Sequence, residues 1–314
     1  MAALWLAAAA LVLAACGGQS SGNRGVTSAA RPAADRGADG LVAIQTITYR
    51  SSFDASNVTA LVATPRGGSS RGCVIWQYGL GSTKQDSSRV WQSLALLGLT
   101  TVSIDLRDHG ARATSPTQLQ QVIRDPSSIA RMIRGTVADL HSAIDYLEKQ
   151  PYCWRNVAYA GVSLGGIIGT LLAATDHRVK AAVIMSTPAT FRDVLTTPGD
   201  PLAPGLADQP AKLAAALRIL APLDPARYIG QISPRPVMIL GGLQDRTVTA
   251  PDWGALEAAA REPKTILNYR GGHDPTSGPA AAANGQAIAS FLLRYVVEPT
   301  YGFPAHAGGT FLEQ

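Results

Sequence analysis

From residue 41 to residue 298 the chain alternates short apolar runs with stretches whose apolar residues recur at helical spacing. Runs at 42–50, 58–64, 73–78, 100–105, 157–161, 179–185, 236–241 and 265–269 read as strands, several of them closed by glycine or turn residues. Between them, 90–97, 127–149, 164–175, 253–261 and 280–297 read as helices; in the longest, Ile129, Ile133, Val137, Leu140, Ile144 and Leu147 fall on one face. A strand followed by a helix, repeated, packs in one way: an α/β domain whose mostly parallel sheet is covered by helices on both faces. With 46% hydrophobic and 16% charged residues there is ample material for that core. Residues 187–233 break the rhythm with several prolines and one helical stretch at 211–220. This segment is too long for an ordinary connection and is expected to form a small cap over a site.

The N-terminal 40 residues do not belong to that pattern. Residues 1–15 are almost entirely Ala, Leu and Val, too short to cross a bilayer of about 30 Å as a helix, and read as the apolar region of an export signal. They end in Leu13-Ala14-Ala15-Cys16-Gly17, which resembles the lipobox of bacterial lipoproteins. The resemblance implies cleavage before Cys16, lipidation of its thiol, and an extracytoplasmic protein anchored to a membrane by that lipid. No Lys or Arg precedes the apolar run, and a plain secretory signal with an incidental Cys16 is the other reading. Residues 16–40, rich in Gly, Ser, Ala, Arg and Asp, read as a flexible tether, and 299–314 as a tail beyond the domain. Cys73 and Cys153 are left once Cys16 is set aside: a disulfide in an oxidising compartment, or two buried thiols. The net charge of +5 is scattered, without a run of Lys or Arg, so nucleic-acid binding is not expected.

The chemistry centres on Gly161-Val162-Ser163-Leu164-Gly165-Gly166, between an expected strand and an expected helix. A serine in such a turn is lifted above the sheet edge; small neighbours make room for the strained backbone, and the helix N-terminus brings N–H groups to the reacting centre. Serine is a weak nucleophile and needs a base. Of the five histidines, His273 follows a strand in Arg270-Gly271-Gly272-His273-Asp274. His109, after a strand in Asp105-Leu106-Arg107-Asp108-His109-Gly110, competes; His141, His177 and His306 have weaker claims. Asp245, in Gly241-Gly242-Leu243-Gln244-Asp245-Arg246, is the candidate for orienting the base, the alternative being a solvated turn or a pair with Arg246. The order Ser163, Asp245, His273 matches a known hydrolase template. Two backbone donors complete the set: the N–H of Leu164, and that of Leu80 in Tyr78-Gly79-Leu80-Gly81, each expected to face a developing oxyanion.

These four segments together, with Asp105-Leu106-Arg107-Asp108-His109-Gly110, resemble the α/β-hydrolase superfamily over residues 42–297. Within it the chain is similar to dienelactone-hydrolase-like, esterase-like and serine-aminopeptidase-like members. The resemblance implies the α/β-hydrolase fold and a serine hydrolase of carboxylesterase type acting on a small ester-like molecule. A peptidase on the same fold and a non-catalytic binding lipoprotein are the alternatives. No metal or organic cofactor is expected, since no H-E-x-x-H, zinc-spaced cysteine pair, dinucleotide or P-loop fingerprint occurs. Many members carry His-Gly where this chain has Tyr78-Gly79, which makes the Tyr78 hydroxyl a candidate substrate contact. By the same resemblance His109 braces its loop, and the family strand order sets Cys73 and Cys153 at one sheet edge, as a disulfide opposite the site.

Overall fold

A computed structural model of the chain describes residues 40–66, 70–86, 88–153, 156–197, 206 and 208–297. The expected signal at 1–15, Cys16, all of the tether but residue 40, and the 299–314 tail with His306 lie outside the described residues.

Eight strands form one sheet: β1 Val42–Arg50, β2 Asn57–Pro65, β3 Cys73–Gln77, β4 Thr100–Ile104, β5 Val157–Val162, β6 Val179–Met185, β7 Val237–Gly242 and β8 Lys264–Tyr269. Their order is β1-β2-β4-β3-β5-β6-β7-β8. The β1–β2 hairpin is antiparallel, and β2 runs antiparallel to β4; every pairing from β4 to β8 is parallel. The helices are α1 Ser88–Leu96, α2 Gln118–Val122, α3 Pro126–Leu147, α4 Leu164–Thr175, α5 Phe191–Thr196, α6 Pro210–Leu220, α7 Ala250–Ala259 and α8 Ala281–Leu292.

The central strands read as unbroken apolar runs because both of their faces are buried. Alternate residues point to opposite sides. Cys73, Ile75, Val157, Tyr159, Ala182, Ile184, Val237 and Ile239 enter a core shared with α3, α4, α5 and α6. Val74, Trp76, Ala158, Ala160, Val183, Met185, Met238 and Leu240 enter a second core under α1 and α8. The long helix α3 starts where Asp125 accepts the N–H groups of Ser127 and Ser128, with Pro126 in the first turn. Its Ile129, Ile133, Leu140, Ile144 and Leu147 are buried as the spacing predicts.

Several boundaries differ from the sequence reading by a residue or more, and three of them have a structural reason. β3 ends at Gln77, so Tyr78 opens the following loop rather than closing the strand. Helix α7 begins at Ala250, where Thr249 and Asp252 form a reciprocal capping box. The last helix is α-helical only to Leu292 and continues as a π turn, Leu293–Val297, that keeps Val296 buried. In the 187–233 segment, α6 buries Leu213, Ala216 and Leu220 and packs on α3 and α5.

Parallel register brings the carboxyl ends of β3, β5, β6, β7 and β8 to one edge: Gln77 lies beside Gly161, Val162 beside Met185, Met185 beside Leu240 and Gly242 beside Tyr269. In open α/β sheets this is the edge where sites form. The opposite edge holds a disulfide. Cys73, the first residue of β3, is bonded to Cys153, four residues before β5, with a Cα–Cα distance of 5.2 Å. Both cysteines are fully buried. The bond spans a sequence separation of 80 residues. Reduction, or Cys73→Ala with Cys153→Ala, is therefore expected to lower the unfolding free energy by about 2–4 kcal/mol, mainly by freeing the denatured chain. Urea titration of oxidised and reduced protein reads this directly; coincident curves would mean that no bridge forms.

Candidate active site

Ser163 stands between β5 and α4 with φ 56° and ψ −119°. Such a conformation costs a non-glycine residue on the order of 1–3 kcal/mol and persists only where the surroundings hold it. Here the Ser163 N–H donates to the Met185 carbonyl on β6 (2.9 Å), and its own carbonyl accepts the first helical N–H, from Ile167 (3.0 Å). The turn is also crowded. A Cβ on Gly165 would lie 2.7 Å from the carbonyl oxygens of Gln77 and Tyr78, so only glycine lets the loop after β3 approach. A Cβ on Gly79 would lie 3.0 Å from Ser163 Cβ and 3.4 Å from its Oγ. The loop 78–81 thus runs directly past the serine hydroxyl. The Leu80 and Leu164 N–H groups donate to no partner among the described residues. For Leu164 this follows from its place in the first turn of α4, where N–H groups have no intrahelical acceptor.

Asp245 and His273 come from the loops after β7 and β8, joined by Leu243 N–H to the Tyr269 carbonyl (2.9 Å) and Gln244 N–H to the Gly271 carbonyl (2.9 Å). The Asp245 side chain has no exposed surface. Its Oδ1 accepts the N–H groups of Thr247 (2.8 Å) and Val248 (3.0 Å), and its Oδ2 lies 2.8 Å from His273 Nδ1. A carboxylate only accepts, so the shared proton sits on Nδ1 and the neutral ring presents a bare Nε2. The imidazole is 31% exposed. Ser163 Oγ and His273 Nε2 make no hydrogen bond to each other among the described residues; such contacts tighten once substrate is bound.

The competing histidines lie elsewhere. His109 is 2% exposed, its Nδ1 lies 2.8 Å from the Arg107 carbonyl, and burial pushes its pKa down. Its loop is held by Arg107 and Arg112, which both pair with the buried Asp139 of α3. Asp105 at the head of the same loop is buried against Lys84. His141 pairs with Asp176 (3.0 Å), and His177 is exposed after α4.

Four further residues shape the site without having been legible as motifs. The Tyr269 hydroxyl donates to the Gly272 carbonyl (2.7 Å), and Ser186 Oγ lies 3.3 Å from that hydroxyl. Beyond His273, Asp274 Oδ1 accepts both the N–H (2.8 Å) and the hydroxyl (2.7 Å) of Thr276. The Tyr78 hydroxyl lies 2.7 Å from Thr276 Oγ1. Ser186 carries its own hint, a positive φ of 45° directly after β6, but only the structure reveals it.

Comparisons with known proteins agree with the fold. The profile of the alpha/beta hydrolase fold matches residues 73–219. Esterase YjfP of Escherichia coli (strain K12) is 25% identical over 195 residues, 60% of this chain and 75% of its own. Among solved structures, the acetyl xylan esterase from Paenibacillus sp. R4 superposes with a TM-score of 0.65 at 19% identity, covering 93% of each chain. A cold-adapted esterase from an Arctic intertidal metagenomic library gives 0.60 at 18% identity, covering 82% of this chain and 95% of its own. The Pyrococcus horikoshii acylaminoacyl peptidase gives 0.65 at 15% identity, covering 83% of this chain but only 43% of the peptidase.

Proposed function

Because this chain belongs to the α/β-hydrolase superfamily, we propose that it is a serine hydrolase cleaving carboxylic esters through an acyl-enzyme on Ser163. The observation that carries the reading is the Asp245–His273 hydrogen bond of 2.8 Å, held at the sheet edge where Ser163 occupies its strained turn. His273 Nε2 takes the Ser163 proton as Oγ adds to the ester carbonyl. The Leu80 and Leu164 N–H groups receive the negative oxygen, and Asp245 stabilises the imidazolium. Collapse breaks the bond to the leaving oxygen, which leaves as the alcohol with the proton from His273. Water, deprotonated by the same nitrogen, then releases the acid and restores Ser163.

The structural likeness to an acylaminoacyl peptidase favours one second reading, in which the leaving group is an amine. A panel of p-nitrophenyl esters set beside aminoacyl p-nitroanilides separates the two. Esters are expected to dominate, with covalent labelling of Ser163 by a fluorophosphonate. Faster anilide turnover would transfer the assignment to peptide bonds, and a chain that neither turns over nor labels would be a binding protein.

The proposal extends to place. An extracytoplasmic enzyme tethered through lipid on Cys16, or secreted if Cys16 is incidental, fits the lipobox-like Leu13-Ala14-Ala15-Cys16 and the Cys73–Cys153 disulfide, a bond that persists in oxidising compartments. Among the described residues no helix is long and apolar enough to cross a membrane.

A further inference from the structure

We propose that Tyr78 is a positioning residue whose hydroxyl, donated to Thr276, fastens the oxyanion loop to the loop carrying His273. The proposal rests on the serine-hydrolase reading above and adds to it a device that holds oxyanion donor and base at one spacing.

The direction of the bond follows from its partners. Thr276 Oγ1 lies 2.7 Å from both Asp274 Oδ1 and the Tyr78 hydroxyl. The carboxylate can only accept, so the single Thr276 proton goes to Asp274, and Tyr78 must donate. The result is a directed chain from Tyr78 O–H through Thr276 O–H to Asp274, ending on a charge, an order in which each bond polarises the next. Asp274 is the neighbour of His273, and its carboxylate also holds the Thr276 N–H at 2.8 Å, so the receiving end is itself fixed. At the donating end, Tyr78 is one residue from Gly79, whose backbone passes Ser163. The ring is flanked by that of Trp76, with centroids 6.1 Å apart. The bond joins segments 198 residues apart in sequence.

The Tyr269 bond to the Gly272 carbonyl steadies the same loop from its other side, but within three residues, so it fixes the loop to its own strand. The Tyr78 bond spans the site. Displacements of about an ångström in such a constellation cost about a hundredfold in rate. This use of the hydroxyl accounts for tyrosine at the position that the sequence offers as a candidate substrate contact.

The test is a double-mutant cycle on the full chain with p-nitrophenyl acetate, using Tyr78→Phe, Thr276→Val and the pair, with Thr276→Ser as rescue. Each single change is expected to lower kcat about fivefold to tenfold, the scale of one lost hydrogen bond, with KM changed less than about twofold. The double variant should lose no more than Thr276→Val alone, since that change already removes the Tyr78 bond along with the Thr276–Asp274 bond. Thr276→Ser should recover most of the rate lost in Thr276→Val, and thermal midpoints should separate this from unfolding. If Thr276→Val does not fold, Thr276→Ala takes its place in the cycle, since it too removes the hydroxyl that accepts from Tyr78. Losses that multiply in the double variant, or an unchanged kcat in Thr276→Val, would overturn the proposal. So would a Tyr78→Phe defect that varies with the substrate, the mark of direct contact. Fluorophosphonate labelling keeps the two levels apart: an unlabelled parent protein defeats the hydrolase reading, whereas a labelled parent with unaffected variants defeats only the clamp.

Discussion

Ser163→Ala is expected to lower kcat for a p-nitrophenyl ester by about 10⁶-fold, the scale seen when a serine nucleophile is removed from an intact triad. The change is clean for structural reasons. Ser163 Oγ makes no hydrogen bond among the described residues, so its removal leaves no buried partner stranded. The bonds that hold the turn are backbone bonds, from Ser163 N–H to Met185 and from Ile167 N–H to Ser163, and alanine keeps both. The positive φ strains alanine about as much as serine. Thermal denaturation should therefore superpose on that of the parent while turnover vanishes. Residual rate above water, carried by the Leu80 and Leu164 donors and by binding, is compatible with the assignment. Undiminished hydrolysis in purified variant protein is not, and would move the reaction away from Ser163.

Much of this site was legible because catalysis at a sheet edge imposes local demands that the sequence must state openly. A strained strand-to-helix turn needs small residues around its serine, so Gly161 and Gly165 announce Ser163. Parallel strands buried on both faces must be apolar throughout, so β3, β5, β6 and β7 show themselves, and the loops that follow them collect the remaining groups. Counting leaves Cys73 and Cys153 as either a bridge or two buried thiols, and the family strand order is what brings them together, because neither cysteine carries a local signal for its partner.

What stayed hidden depends on tertiary registration. Thr276 carries no signal of its own, and Tyr78, a candidate substrate contact by sequence, shows its partner only when two strand ends bring the two hydroxyls within 2.7 Å. Ser186 and Tyr269 meet across the ends of β6 and β8 for the same reason. The short helix α2 and the π turn after α8 have no lengthy periodic pattern to mark them, and the start of α7 was set by a capping box instead of by apolar spacing. The sequence also left Asp245 open between an orienting carboxylate and a turn residue paired with Arg246. The geometry joins both of its oxygens to specific partners, His273 among them.

That arrangement gives Asp245→Asn a definite and large consequence. The loop presents two backbone donors, Thr247 N–H and Val248 N–H, to Oδ1 at 2.8 and 3.0 Å. An asparagine there must turn its carbonyl oxygen toward them, because the opposite orientation sets an amide N–H₂ against two N–H groups with no acceptor between them. Its N–H₂ then faces His273 Nδ1, which has to accept. The imidazole is forced to carry its proton on Nε2, the nitrogen that should receive the Ser163 proton, and the lost charge no longer stabilises the imidazolium. Turnover of the ester is expected to fall about 10⁴-fold by this tautomer exchange alone. Thermal stability should change little, since all the bonding partners of the side chain remain engaged. Asp274, although adjacent to His273, makes no hydrogen bond to its ring among the described residues; its Oδ1 holds the Thr276 N–H and hydroxyl. A loss of less than about tenfold, far below the effect of a wrong tautomer, would show that Asp245 is a turn residue after all and that His273 is oriented by another group.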